Sequence, residues 1–216
     1  MGLLARFLSG VEGPTRLLFT RAGPVENPRN VLYSYPGLPL SEAGRSASRR
    51  LAARLREESL ALVVASDGFA EKEVASLLAG FLDVPLEIEP ALRERSWGDW
   101  EGLTFAEVQN GWQESLDDWV NDEVGFTPPG GESLSDVERR SAPVIQRLLR
   151  RYAGSTLFLV GNCAVNRVLL KTALPFFSLD EGLRLEQNFA ELSEVRFYGD
   201  DGVLIRLNER VMVESE

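Results

Sequence analysis

Apolar and polar positions along this chain follow two rhythms. Short, almost unbroken apolar runs occur at Arg16 to Ala22, Ala61 to Ser66 and Thr156 to Gly161, as in strands buried on both faces. Between the first two, Ala43, Ala47, Leu51 and Leu55 recur every four residues behind Ser41. That spacing predicts an amphipathic helix with a serine N-cap, ending near Glu58. Phe69 to Leu82 predicts a second helix, and Pro85 to Ile88 a short strand. Ser133 and Asp136 have capping-box spacing ahead of apolar residues 134, 137, 144, 145, 148 and 149. A helix opens there, and Pro143 within it is expected to kink it or force an irregular turn. Val165 to Ala173 predicts a further helix. Alternation at Val195, Phe197, Val203, Ile205 and Leu207 around Gly199 to Gly202 predicts a hairpin on the sheet edge.

Strand and helix in alternation argue for an α/β fold, a three-layer α/β/α sandwich with a mostly parallel sheet. The whole chain, 1–216, reads as one domain. A helical, lid-like insertion at about 91–132 holds Trp97, Trp100, Trp112 and Trp119; these are expected to pack core and lid, with Trp97 and Trp100 also placed to meet a ligand. In such sheets ligands sit beyond the carboxyl ends of the strands. Three segments reach that position: Arg21-Ala22-Gly23, Ser66-Asp67-Gly68 and Gly161-Asn162-Cys163.

Composition narrows the function classes. Thirty-three acidic against 23 basic residues give a net charge of −10, which opposes nucleic-acid binding and adhesion to anionic membranes. No apolar stretch approaches the roughly 20 residues of a membrane span, and Met1 to Leu8 is too short and too soon charged for a signal peptide. The single cysteine, Cys163, excludes an internal disulfide. A cytoplasmic location is expected. Asp67, Glu71 and Glu94 could in principle gather a divalent cation. On so acidic a chain such carboxylates are expected to be solvated or paired, so neither metal nor cofactor is expected.

The most restrictive feature is an absence. The chain has no histidine, the side chain best suited to nucleophilic and proton-transfer work near neutral pH. Yet Arg21 and Gly23 are followed in order by Pro39 to Gly44 at a helix start, by Leu92-Arg93-Glu94, by Trp97 to Thr104, and by Pro128-Pro129-Gly130-Gly131-Glu132-Ser133. In this ordered set, over about residues 16–207, the chain resembles the histidine phosphatase superfamily in its phosphoglycerate-mutase-like branch. The resemblance implies that fold. It also implies a phosphate site in which a histidine attacks phosphorus, arginines grip the phosphoryl oxygens, a second histidine stabilises the transferring group and a glutamate protonates the leaving oxygen. Carried over residue by residue, Arg21, Gly23 and Glu94 match. Ala22 stands at the nucleophile, Ala70 at the second-helix arginine and Asn162 at the second histidine, with Cys163 where glycine is usual. Asn27 lies near a position where the family often has asparagine.

Loss of two cationic partners, at about 1.5–3 kcal/mol each, would weaken phosphate binding by about two to four decades. Asp67 would repel the anion further. The function expected is a non-catalytic domain kept for binding, regulation or structure, with no catalytic residue. Its binding positions would be Arg21, Ala22, Gly23, Asp67, Ala70, Glu94, Asn162 and Cys163. Two alternatives stand beside it: a phosphatase-like hydrolase in a remodelled cleft using Asp67, Glu94 or Cys163, and a sensor of a small anion or phosphometabolite through Arg21. If no anion binds, Arg21 is expected to pair with Asp67 or Glu94. A weakly bound small anion and a second copy of the chain, as a homodimer, are the partners left open.

Overall fold

The computed structural model describes residues 13–211, so Met1 to Leu8 falls outside the described part. Strands β1 (Thr15–Arg21), β2 (Leu60–Ala65), β3 (Leu86–Ile88), β4 (Thr156–Gly161), β5 (Leu192–Tyr198) and β6 (Asp201–Glu209) form one sheet in the order β3-β2-β4-β1-β5-β6. The pairings β3–β2, β2–β4 and β4–β1 are parallel, whereas β1–β5 and β5–β6 are antiparallel. The sheet is therefore mixed, with its parallel half carrying the three apolar runs.

Seven α-helices flank it among the described residues: α1 (Glu42–Arg54), α2 (Phe69–Leu82), α3 (Phe105–Gly111), α4 (Gln113–Asn121), α5 (Leu134–Arg151), α6 (Cys163–Ala173) and α7 (Leu179–Gly182). Successive residues of β1 face opposite layers, as the two-residue strand period requires. Leu17 and Phe19 pack with Val144, Ile145 and Leu148 of α5 and Val168 of α6. Leu18 packs with Leu51 of α1 and Val74 and Leu78 of α2. Helices thus cover both faces and the sandwich has three layers. Among the described residues no helix is long and apolar enough to cross a membrane.

The caps follow the sequence signals. Ser41 accepts from the Gly44 amide, and Ser133 and Asp136 form a reciprocal capping box. That box, with Arg139 beside it, holds the Asp136 carboxyl down at about 2. Two boundaries differ from expectation: α1 stops at Arg54, short of Glu58, and α6 starts at Cys163, not Val165. Pro143 leaves α5 running unbroken from Leu134 to Arg151. It lies on the exposed face, where the carbonyl deprived of its amide donor can turn to water.

Residues 91–132 pack as an aromatic unit. Trp100 is fully buried, stacked on Phe126 at 5.4 Å and on Trp97 at 6.4 Å, with Trp119 edge-on to Trp97 at 5.5 Å. Gly98 has φ +56, and a Cβ there would lie 2.1 Å from the Pro129 carbonyl oxygen. Only glycine lets the tryptophan segment approach the Pro128 to Gly131 loop so closely.

Candidate functional site

The register of the parallel strands sets Arg21 beside Gly161 at the carboxyl ends of β1 and β4, and the Ala22 amide donates to the Gly161 carbonyl at 3.0 Å. A cavity of about 410 Å³ opens there, of a size that suits a small ligand. Arg21, Ala22, Gly23, Ala70, Glu94, Asn162 and Cys163 all line it. The methyl groups of Ala22 and Ala70 are each about 5% exposed and bring no polar atom to the wall.

Glu94 is placed by its backbone. After the 3-10 turn at Pro90–Leu92, Arg140 of α5 donates to the carbonyls of Ala91 (2.7 Å), Arg93 (2.8 Å) and Glu94 (3.0 Å). The same guanidinium takes both carboxylate oxygens of Glu132, at 2.9 and 2.8 Å. Burial pushes the Glu132 carboxyl up, but Arg140 and the Ser96 amide outweigh it and hold it below its usual range. So clamped, Glu94 turns its carboxylate onto the start of α6. It accepts from the amides of Cys163 (2.9 Å) and Ala164 (3.2 Å), and from that of Arg95 (2.7 Å).

Asn162 completes that helix start. Buried at 4% exposure, it accepts from the Val165 amide at 3.0 Å and donates to the Leu92 carbonyl at 2.9 Å. The first three amides of α6, where a helix offers an anion its best purchase, are therefore bonded to Glu94 and Asn162. Cys163 is half-buried and receives a hydrogen bond on Sγ from Arg167 Nη1 at 2.7 Å.

Asp67 departs from expectation. It is drawn out of the cavity into a bidentate pair with Arg93, at 2.7 and 2.5 Å, and that bond holds its carboxyl below the usual range. The Arg93 guanidinium in turn lies 3.6 Å over the Tyr35 ring. Arg21 accordingly pairs with neither Asp67 nor Glu94. It donates to the Gln187 carbonyl at 3.2 Å and lies 3.9 Å over the Phe189 ring. Asn27 closes its own loop, exchanging hydrogen bonds of 2.9 Å with the Val31 backbone. Among the described residues no three metal-ligating side chains form a cation site.

Several wall residues were not singled out from sequence for the site. Tyr33 lines the cavity, its phenol pushed up mainly by burial. Glu71, weighed there only as a metal ligand, is half-buried in the wall one residue after Ala70. Burial, with Glu94 adding to it, raises its carboxyl to about 7. Arg95, only 3% exposed, donates to the carbonyls of Glu132 and Phe126, and burial lowers it to about 10. Any helix carrying Phe69 to Leu82 with Ala70 in its first turn brings Glu71 near the same end, so that placement had a sequence signal; the others had none.

A mixed α/β/α sandwich with its cavity at these strand ends has the phosphoglycerate-mutase-like architecture. Residues 17–210 match the histidine phosphatase superfamily (branch 1), and the chain belongs to that superfamily. It is 35% identical over 206 residues to a bifunctional protein of Mycobacterium tuberculosis, covering 92% of this chain and 55% of that protein. It is 32% identical over 135 residues to the glucosyl-3-phosphoglycerate phosphatase of Mycolicibacterium vanbaalenii, covering 62% of this chain and 60% of that one. The chain thus spans little more than half the length of these relatives. Among solved structures, Bacillus stearothermophilus YhfR superposes with a TM-score of 0.83 at 25% identity, covering 91% of this chain and 98% of that one.

Proposed function

We propose that this chain is a member of the superfamily without phosphohistidine chemistry, acting in the cytoplasm as a binding, regulatory or structural domain. One observation carries this: a methyl group, Ala22, stands at the end of β1, while the Glu94 carboxylate occupies the α6 amides that face it. Transfer through a phosphohistidine needs an imidazole nitrogen, and the chain has no histidine. A phosphoryl group entering the cavity would also meet Glu94 where the helix end would otherwise receive it. Phosphatase activity, as named for the Mycolicibacterium relative, therefore lacks its attacking atom here. Purified protein is expected to hydrolyse p-nitrophenyl phosphate and sugar phosphates no faster than a buffer blank. Turnover that Arg21→Ala abolishes would overturn the proposal.

The contact between Arg167 and Cys163 favours a second reading, in which the thiol does the chemistry of a remodelled cleft. Iodoacetamide separates the two. A non-catalytic domain is expected to alkylate near pH 7 at about the rate of free cysteine or slower, whereas modification faster by about tenfold or more favours the thiol.

A further inference from the structure

Opposite charges reach the cavity without meeting. Its wall holds three arginines (Arg21, Arg95 and Arg167) and three glutamates (Glu71, Glu94 and Glu123). Arg95 is consumed by backbone carbonyls, and Arg167 donates to the carbonyls of Cys163 and Gly182 and to Sγ. Glu94 is taken up by amides. Glu123 is exposed to solvent, which leaves Arg21 and Glu71 in the wall. Arg21 donates through Nη1 to the Gln187 carbonyl and hydrogen-bonds the Tyr33 phenol, but among the described residues no carboxylate pairs with it. The Glu71 carboxylate accepts from its own backbone amide, but among the described residues no cation pairs with it, although Arg21 is near enough to act on its charge. A guanidinium and a carboxylate half-buried in one wall, neither in contact with a countercharge, are costly to leave so. Beside them Trp97, Trp119 and Leu134 give the cavity an apolar flank.

We propose that the cavity binds a small zwitterion of the amino-acid type, its carboxylate on Arg21, its ammonium on Glu71 and its apolar body against Trp97 and Trp119. A simple anion would meet Glu71 and Glu94 in the same space, and a simple cation would meet Arg21 and Arg167. Only a ligand with both signs, a few bonds apart, answers the two open groups together. This deepens the non-catalytic reading of the cavity and rests on it.

Isothermal calorimetry on the full chain near pH 7.5 tests it, with L-phenylalanine as probe against phenethylamine, hydrocinnamate and inorganic phosphate. L-phenylalanine is expected to saturate one site in the millimolar range or tighter, and the other three to bind at least about tenfold more weakly, since each lacks one charged contact or the apolar body. Glu71→Gln and Arg21→Met are each expected to weaken L-phenylalanine by about tenfold or more. Glu71→Gln removes only a buried charge, so its fold serves as the control. No saturation by L-phenylalanine, equal binding of the amine, the acid or phosphate, or unchanged affinity in Glu71→Gln would each overturn the proposal. These readouts involve no phosphate ester turnover. A phosphatase result against the non-catalytic role therefore remains distinguishable from a failure of zwitterion binding.

Discussion

Replacing Glu194 by alanine is expected to destabilise the chain by about 3–5 kcal/mol, the range for removing one partner of a buried ion pair. Glu194 lies on β5, opposite Leu18 of β1 and Arg206 of β6, with its side chain wholly buried. One oxygen takes Nε of Arg16 at 3.0 Å and Nε of Arg196 at 2.7 Å, and the other meets Nη2 of Arg206 at 2.9 Å. Alanine would leave three guanidinium groups converging on a space with no countercharge. Arg16 retains Glu58 and Arg206 retains Glu209, so the lower end of the range is the better expectation. Burial pushes the Glu194 carboxyl up, but Arg16 and Arg196 outweigh it and hold it below its usual range. With the folded value depressed, the stabilisation is complete above the unfolded carboxyl's range and disappears as pH falls through the folded one. Urea unfolding near neutral pH, with the denaturant slope unchanged, is the check. A loss below about 1 kcal/mol, the worth of a surface pair, would show that water already solvates these arginines.

Glu194 also marks how far the sequence could be read. Its strand was legible from the alternation of Val195 and Phe197, because period-two burial leaves a mark along the chain. Its three arginines lie on three strands, one of them 178 residues away, and no local pattern announces such a meeting. The site shows the same division. Arg21, Ala22 and Gly161 were legible as neighbours because apolar parallel strands must end together at one edge of the sheet. The pairing of Asp67 with Arg93 was not, because it depends on how the turn after β3 aims a flexible side chain. Nor was the Arg140 clamp on residues 91–94, which joins a helix face to carbonyls about 50 positions earlier. Pro143 gives the converse lesson. The ring's local preference for a break yields to the packing of Val144, Ile145 and Leu148 on the sheet. The Glu94 carboxylate matters most, since its identity was plain from sequence and its orientation, onto the amides of α6, decides what the cavity can hold.

Glu71→Gln is expected to leave stability unchanged below about pH 4 and to raise it by about 2–3 kcal/mol at about pH 8. The Glu71 carboxyl stands at about 7 in the folded chain against an ordinary 4.5. Burial is the main cause, and the charges of Glu94 and Asp67 add to it while Arg21 opposes; the Tyr33 phenol shares the same surroundings. Between those two values the folded chain holds a proton that the unfolded chain has released. Stability therefore falls as pH rises from about 4.5 to 7 and stays lower above that. At 1.36 kcal/mol per tenfold change in proton affinity, the full displacement corresponds to roughly 3 kcal/mol. Water in an open cavity reduces it, hence the lower figure. The amide of glutamine fits the same space without a charge to bury, so the gain appears only where the native carboxyl would be ionised. Melting temperatures of both proteins would show the curves joined below about pH 4, diverging from about pH 4.5 and fully separated above about pH 7. Curves that ran parallel throughout would show Glu71 to be hydrated, and would remove the unmet carboxylate on which binding of a zwitterion depends.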